Sequence, residues 1–132
     1  MKPSQFDSAI GRIYQRNQSI DPQAYFFLKE ALDIALKNAE KAKDSSEGHV
    51  SAKQLLHAFR DHALEEYGPM AGTLMEEWGL HSTSDVGSMV FALIEERMFG
   101  KQDSDSEEDF ADLYSFHEAF AAPFLPQAAL SR

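Results

Sequence analysis

Hydrophobic side chains recur along most of this chain at intervals of three and four residues, the period of an amphipathic helix. The pattern predicts six helices, over residues 4–17, 22–43, 51–67, 69–78, from 83 or 84 to a stop at Gly100, and a last short helix capped within 106–109. No stretch alternates with the period of two that marks a half-buried strand. We therefore predict an all-α protein, a compact bundle of about six helices in an orthogonal or irregular arrangement, with an acidic loop before the last helix.

The clearest local signal lies before the third helix. Ser51 and Gln54 stand at the two ends of a capping box, in which each side chain accepts a hydrogen bond from the other residue's backbone amide. Val50 and Leu55 are placed for the hydrophobic staple that accompanies such a box. Gly68 is followed by a proline, and this pair is typical of a helix end.

The single tryptophan of the chain, Trp78, belongs to the fourth predicted helix. It follows Met70 and Leu74 at intervals of four residues and precedes Gly79, a predicted helix end. This spacing predicts that the three side chains share one helical face. We expect Trp78 to be buried against the 51–67 helix.

The net charge of −10 is unevenly distributed. Residues 1–60 carry nine Lys or Arg and seven Asp or Glu, whereas residues 61–132 carry three and fifteen, a net of −12. Binding to nucleic acid requires a basic patch, so a nucleic-acid partner is disfavoured. The chain has no cysteine, which excludes disulfides, thiolate metal sites and a cysteine nucleophile.

The organisation along the chain is predicted to be simple. The first residues lack the apolar segment of a signal peptide, and no apolar run approaches the ~18 residues of a membrane-spanning helix. We expect a cytoplasmic protein without a membrane partner. We also expect one helical domain over 1–124, a mobile acidic loop at 101–108, and a disordered tail at 125–132.

Metal chemistry is a weaker possibility on the third helix. His57, Asp61 and Glu65 lie at i, i+4 and i+8, and His62 and Glu66 form a second pair one turn apart. A di-metal bundle would need two Glu-x-x-His elements on facing helices, and that pattern is absent. We therefore predict no bound metal and no cofactor, and these five residues are the candidates of the alternative hypothesis.

Catalytic signatures are absent from the sequence. The chain has no Gly-x-Ser-x-Gly elbow and no glycine-rich phosphate loop, since its glycines are spaced as helix punctuation. We accordingly predict no catalytic residue, and the sequence favours a protein without enzyme activity.

Aromatic residues concentrate in the last segment, after the acidic stretch. They are the partner-binding candidates Phe110, Tyr114, Phe116, Phe120 and Phe124. This cluster either caps the core or forms an exposed surface for a partner. The leading hypothesis is a non-enzymatic protein-interaction module that binds a protein partner or a second copy of itself. The alternatives are a metal-binding helical protein and a small-ligand-binding helical domain with a pocket near Trp78.

A series of short motifs between Tyr25 and Phe120 resembles an uncharacterised bacterial family known mainly from planctomycete and verrucomicrobial genomes. The matching motifs are Ala24-Tyr25-x-Phe27-Leu28-x-Glu30-Ala31-Leu32, His49-Val50-Ser51-x-x-x-Leu55-Leu56, Tyr67-Gly68-Pro69-Met70-Ala71, Trp78-Gly79, Asp85-Val86-Gly87 with Val90-Phe91, and Asp109-Phe110. This resemblance implies no activity and no catalytic residue.

A second resemblance concerns the middle of the chain. The motifs are Glu30-Ala31-x-x-x-Ala35-x-x-x-Ala39, His49-Val50-x-x-x-x-Leu55-Leu56, Ala71-x-x-Leu74 and Gly79. They are similar to one repeat of the N-terminal domain of Clp-type chaperones. That resemblance implies a helical domain that binds adaptors or substrates, although such domains usually carry two repeats and one is present in this chain.

Overall fold

A computed structural model describes residues 4–42, 50–99 and 106–125, and these form helices and turns without any strand. The α-helices are α1 (Gln5–Arg16), α2 (Pro22–Ala42), α3 (Ala52–Tyr67), α4 (Ala71–Glu77), α5 (Thr83–Glu95) and α6 (Phe116–Phe120). Short 3₁₀ turns lie at Gly68–Met70, Glu107–Phe110 and Ala122–Phe124. The all-α prediction is confirmed. Among the described helices, none combines the length and the apolar character needed to cross a membrane.

Capping boxes define the starts of two helices. The predicted box before α3 is present: Ser51 N–H donates to Gln54 Oε1 at 2.8 Å, and Gln54 N–H donates to Ser51 Oγ at 3.1 Å. A second capping box, formed by Ser4 and Asp7, begins α1 and was not predicted from the sequence. Each box satisfies amides that a helix start would otherwise leave without partners.

The core is centred on the contact between α2 and α3. Phe27 of α2 meets Phe59 of α3 edge to face, with 5.1 Å between the ring centroids. Leu28 and Leu56 are fully buried beside them. Among the aromatic residues in the first turns of α2, Tyr25 and Phe27 are buried and Phe26 is 41% exposed.

Helix α1 is fastened to the end of α5 by ion pairs. Arg12 Nε and Arg16 Nη1 each lie 2.7 Å from one carboxylate oxygen of Glu96. The Glu96 side chain is only 13% exposed. The hydrogen bonds from Arg16 and Arg12 lower the pKa of Glu96, because they stabilise its charged form.

Gly79 ends α4 in the way predicted. Its φ of 86° lies in the left-handed region, and the next residue, Leu80, donates its amide to Met75 O at 2.9 Å. The backbone is also crowded here, since a Cβ atom on Gly79 would lie 2.1 Å from Ser19 O. Glycine therefore serves both the helix end and the close approach of the chain before α2.

The predicted continuation of α5 to Gly100 is wrong, because the helix ends at Glu95. Arg97 takes the left-handed conformation with a φ of 62°. Arg97 and Met98 then donate their amides back to Ile94 O and Leu93 O, both at 2.9 Å. A complete C-terminal cap thus forms without glycine. A helix end of this kind cannot be predicted from the sequence pattern.

The predicted face of α4 is also wrong. Met70 belongs to the 3₁₀ turn before the helix and is 62% exposed, and Leu74 is half-buried. The buried positions are Ala71 and Met75, followed by Trp78. The buried face therefore begins one residue later than predicted, because Met70 belongs to the 3₁₀ turn and not to α4.

The last predicted helix is divided in two. The 3₁₀ turn Glu107–Phe110 comes first, Asp112 adopts a φ of 52°, and α6 begins after Ser115. Two tertiary hydrogen bonds hold the break, from Leu113 N–H to Thr83 Oγ1 and from the Tyr114 hydroxyl to Leu56 O. Residues 101–105 of the predicted mobile loop and residues 126–132 of the predicted tail lie outside the described part of the chain.

Candidate functional site

An open groove runs along the surface where α4 meets α6 and the turn that follows α6. Its volume is about 570 Å³, and one side faces solvent. Apolar side chains form much of its lining, namely Pro69, Leu80, Phe116, Phe120, Ala121, Phe124 and Leu125. The polar side chains of the lining are Thr73, Glu76, His81 and His117.

The distance between the two walls is set by a small residue on α4. A Cβ atom on Gly72 would lie 3.5 Å from Phe120 Cβ, so α6 packs almost directly on the α4 backbone. Phe120 is fully buried at this contact, and Phe116 meets it edge to face at 5.1 Å. Ser115 fixes the start of α6 by accepting a hydrogen bond from Glu118 N–H at 3.0 Å.

Tyr114 anchors the α6 segment to α3. Its hydroxyl donates to Leu56 O at 2.8 Å, and the Arg60 guanidinium lies 5.9 Å from the ring centroid. Burial raises the pKa of Tyr114, because the phenolate would lose hydration. The tyrosine is therefore a neutral hydrogen-bond donor over the whole physiological pH range.

The five aromatic candidates of the last segment have different environments. Phe110 and Phe120 are buried, Tyr114 and Phe116 are half-buried, and Phe124 is 45% exposed. The segment therefore mainly caps the core. Phe116 and Phe124 are brought together in the groove above the buried ring of Phe120, whereas Phe110 packs on α5, 6.3 Å from the ring of Phe91.

A second depression lies on the other side of α6. It has a volume of about 460 Å³ and is lined by Arg60, Asp61, Leu64, Tyr114, Glu118, Ala119 and Pro123. Arg60 pairs there with its neighbour Asp61, with 2.9 Å between Nη2 and Oδ1. Helix α6 thus forms a ridge between two depressions, and the one beside α4 is larger and more aromatic.

The charge of the larger groove is one-sided. Among the lining residues that the structure describes, Glu76 is the one carboxylate, and none is a lysine or an arginine. From residue 61 to 99 the sequence holds a single cation, Arg97, against eight Asp or Glu. The groove therefore lies in an acidic region of the molecule.

The metal candidates on α3 are dispersed. His57 is half-buried, while Asp61, Glu65 and Glu66 are exposed. Within the described ranges, no three His, Asp or Glu side chains are arranged to hold a metal ion.

His62 is engaged by α2 instead of by its neighbour on α3. Its Nε2 lies 2.8 Å from Glu30 Oε1, and its ring stacks on Phe27 at 4.7 Å. Sequence spacing cannot reveal this pair, because its two members lie 32 residues apart.

Trp78 is buried, as predicted. Its ring lies 5.5 Å from that of Phe27 and 6.1 Å from that of Tyr67, so it packs against both α2 and α3. Trp78 does not line the groove between α4 and α6. Its place is that of a core residue.

No protein-family model, curated protein or solved structure matches the chain. The two resemblances drawn from the sequence motifs stay predictions.

Proposed function

We propose that this chain is a cytoplasmic, non-enzymatic protein-interaction module, and that an apolar segment of a different protein binds in the groove between α4 and α6. The observation that carries the proposal is the exposed apolar edge of that groove, because Leu80 and Phe120 deeper in the lining are buried. Phe124 and Leu125 are both large hydrophobic residues left exposed at its edge. Two neighbouring large apolar side chains left exposed beside a groove favour an interaction site.

Two further features support a protein as the occupant. A volume of about 570 Å³ would suit a small ligand, but such ligands are usually enclosed, and this groove is open to solvent. Met70 lies next to the groove residue Pro69 and is strongly exposed. Methionine is flexible and polarisable, and it is common on surfaces that adapt to a protein partner.

The polar side chains of the groove do not form a catalytic arrangement. Thr73, His81 and His117 are exposed, and in the described part of the chain they make no nucleophile–base hydrogen bond with one another. Nucleophilic catalysis needs such a pair and a third group that orients the base. The groove is thus better suited to binding than to chemistry.

Site-specific photo-crosslinking in the native cell tests the proposal. A photoreactive phenylalanine analogue replaces Phe124 in one variant and Phe26 in the control. The two residues are exposed to similar extents, but Phe26 lies on α2, outside the groove. The proposal predicts a discrete product from position 124 that is absent from position 26, with the cross-linked partner peptide rich in apolar residues.

Three results would overturn the proposal. They are no product from position 124, the same products from both positions, and a product at position 124 that consists of two copies of this chain. The last result would assign the groove to self-association.

A further inference from the structure

We infer that the segment occupying the groove is a basic amphipathic helix, which inserts apolar side chains between α4 and α6 and directs lysine or arginine toward Glu76. This inference rests on the proposed function and adds the conformation and the charge of the partner. Both additions follow from features of the groove and its surroundings.

The helical conformation follows from the backbone. An extended peptide usually binds by adding a strand to the edge of a sheet, and the described residues contain no sheet. The groove walls are made of helices, whose internal amides and carbonyls are already paired with each other. A helical segment satisfies its own backbone hydrogen bonds, and it presents apolar side chains at i, i+3, i+4 and i+7 to such a groove.

The basic character follows from the charge around the groove. Glu76 lies in the lining, and neighbouring Glu77 is exposed on α4. Residues 61–132 carry a net charge of −12 in the sequence, so the long-range field also attracts cations. An acidic helix would be repelled, and a neutral helix would gain nothing from this field.

Two histidines require the test to be made at a chosen pH. His81 and His117 also line the groove. A protonated histidine carries a positive charge, which is opposite in sign to the charge of Glu76. An assay at a pH above the ordinary histidine range limits this source of positive charge. Binding should accordingly be measured at pH 8 and low ionic strength.

The probes are synthetic peptides that share one leucine face at i, i+3, i+4 and i+7. Their polar faces consist of lysine, glutamine or glutamate. A fourth peptide is the lysine peptide with a central proline, which prevents the helix. Fluorescence anisotropy gives each affinity for the full chain. We expect the lysine peptide to bind about tenfold more tightly than the glutamine peptide, and the glutamate and proline peptides to bind more weakly still.

Matched variants distinguish the effect of groove residues on peptide affinity from the effect of the protein's overall negative charge. Glu76→Gln should weaken the lysine peptide by about two- to fivefold, as expected for one exposed ion pair. Glu40→Gln removes the same charge from an exposed position on α2 and should leave the affinity unchanged. Phe124→Ser should weaken all the helical peptides, whereas Phe26→Ser should not.

The outcomes distinguish an error in the inferred basic helix from an error in the proposed function. If lysine and glutamine peptides bind equally and Phe124→Ser weakens both, the groove binds helices but the inferred basic partner is wrong. If the proline peptide binds as well as the lysine peptide, the helical conformation is wrong. If Glu40→Gln matches Glu76→Gln and Phe124→Ser has no effect, the inferred docking mode is wrong. Failure of the proposed function itself would appear independently in the crosslinking at position 124.

Discussion

At the scale of single residues, the room beside a helix decides whether one methyl group stabilises or destabilises the fold. Gly11 in α1 and Gly87 in α5 are both glycines inside helices. A Cβ atom on Gly11 would meet nothing within 4 Å, whereas one on Gly87 would lie 2.6 Å from Phe110 Cβ. The two positions therefore form a matched pair for the same substitution.

We predict opposite signs for this pair. Gly11→Ala should raise the free energy of unfolding by about 0.5–1 kcal/mol, because alanine loses less backbone entropy in a helix. Gly87→Ala should lower it by about 1–3 kcal/mol, because Phe110 and α5 must move apart. Urea denaturation of the two variants measures both values. Stabilisation by Gly87→Ala would contradict the close packing of the Glu107–Phe110 turn on α5.

Tyr114 gives the second residue-scale prediction. Tyr114→Phe removes the hydrogen bond to Leu56 O and should cost about 1 kcal/mol at pH 8. Burial raises the pKa of Tyr114 above that of the unfolded chain, so above about pH 10 the unfolded state ionises first and the folded state is disfavoured. The phenylalanine variant lacks this loss.

Denaturation at pH 8 and pH 11 tests the predicted loss of stability at high pH. The stability gap between wild type and Tyr114→Phe should narrow at pH 11. The pKa values of Tyr25 and Tyr67 are also raised by burial, and both tyrosines remain in both proteins, so their contribution cancels. A gap that is constant with pH would contradict the buried, neutral state of Tyr114.

At the scale of elements, two boundaries with clear local signals were predictable, and two others were not. The capping box at Ser51 and the C-cap at Gly79 are local signals, and both were predicted correctly. The end of α5 depends on the left-handed backbone of Arg97, whereas the break before α6 depends on hydrogen bonds to α5 and α3. Such distant contacts leave no periodic trace in the sequence.

The groove also contains one part that the sequence predicts and one part that it does not. Phe116 and Phe124 were candidates because aromatic residues after an acidic stretch are conspicuous in the sequence. The α4 wall with Gly72, Glu76 and Leu80 was not predicted, because it becomes a wall only when α6 packs on it. One side of the candidate site could thus be predicted, and the other required the tertiary structure.

The docking of α1 on α5 gives a prediction at the element scale. The pKa of Glu96 is lowered by its hydrogen bonds to Arg16 and Arg12, so its contribution to stability is present above the unfolded value of about 4.3. The contribution is lost as the pH falls through the lower pKa of the folded state. Glu96→Gln should therefore destabilise the protein at pH 7 and have progressively less effect as the pH falls below about 4.

Glu95→Gln is the control for this pair of helices. Glu95 is mostly exposed and lies 4.0 Å from Arg16 Nη2, so its loss should matter less at every pH. Thermal melts of wild type and both variants from pH 7 to pH 3 provide the comparison. Equal effects of the two variants would contradict the role given to Glu96.

At the scale of the whole molecule, Trp78 connects α4 to the core formed by α2 and α3. It packs against rings from α2 and α3 and accepts, through its carbonyl, the amide hydrogen of Asp21 at 2.9 Å. We predict that Trp78→Ala costs about 3–5 kcal/mol, the usual range for a buried aromatic side chain. Because domains are stable by only about 5–15 kcal/mol, the variant should be partly or wholly unfolded. A circular dichroism melt with an unchanged midpoint would show that the ring is not part of the core.

The account's central claim is that the groove between α4 and α6 is where this molecule meets its partner. An NMR titration of the isotope-labelled full chain with the lysine peptide at pH 8 tests it most directly. The account predicts that the largest shifts fall on amides of Gly72, Leu80 and Ala121 and on the ring of Phe124. Shifts concentrated instead on α1 and α2, or spread evenly over all acidic residues, would contradict it.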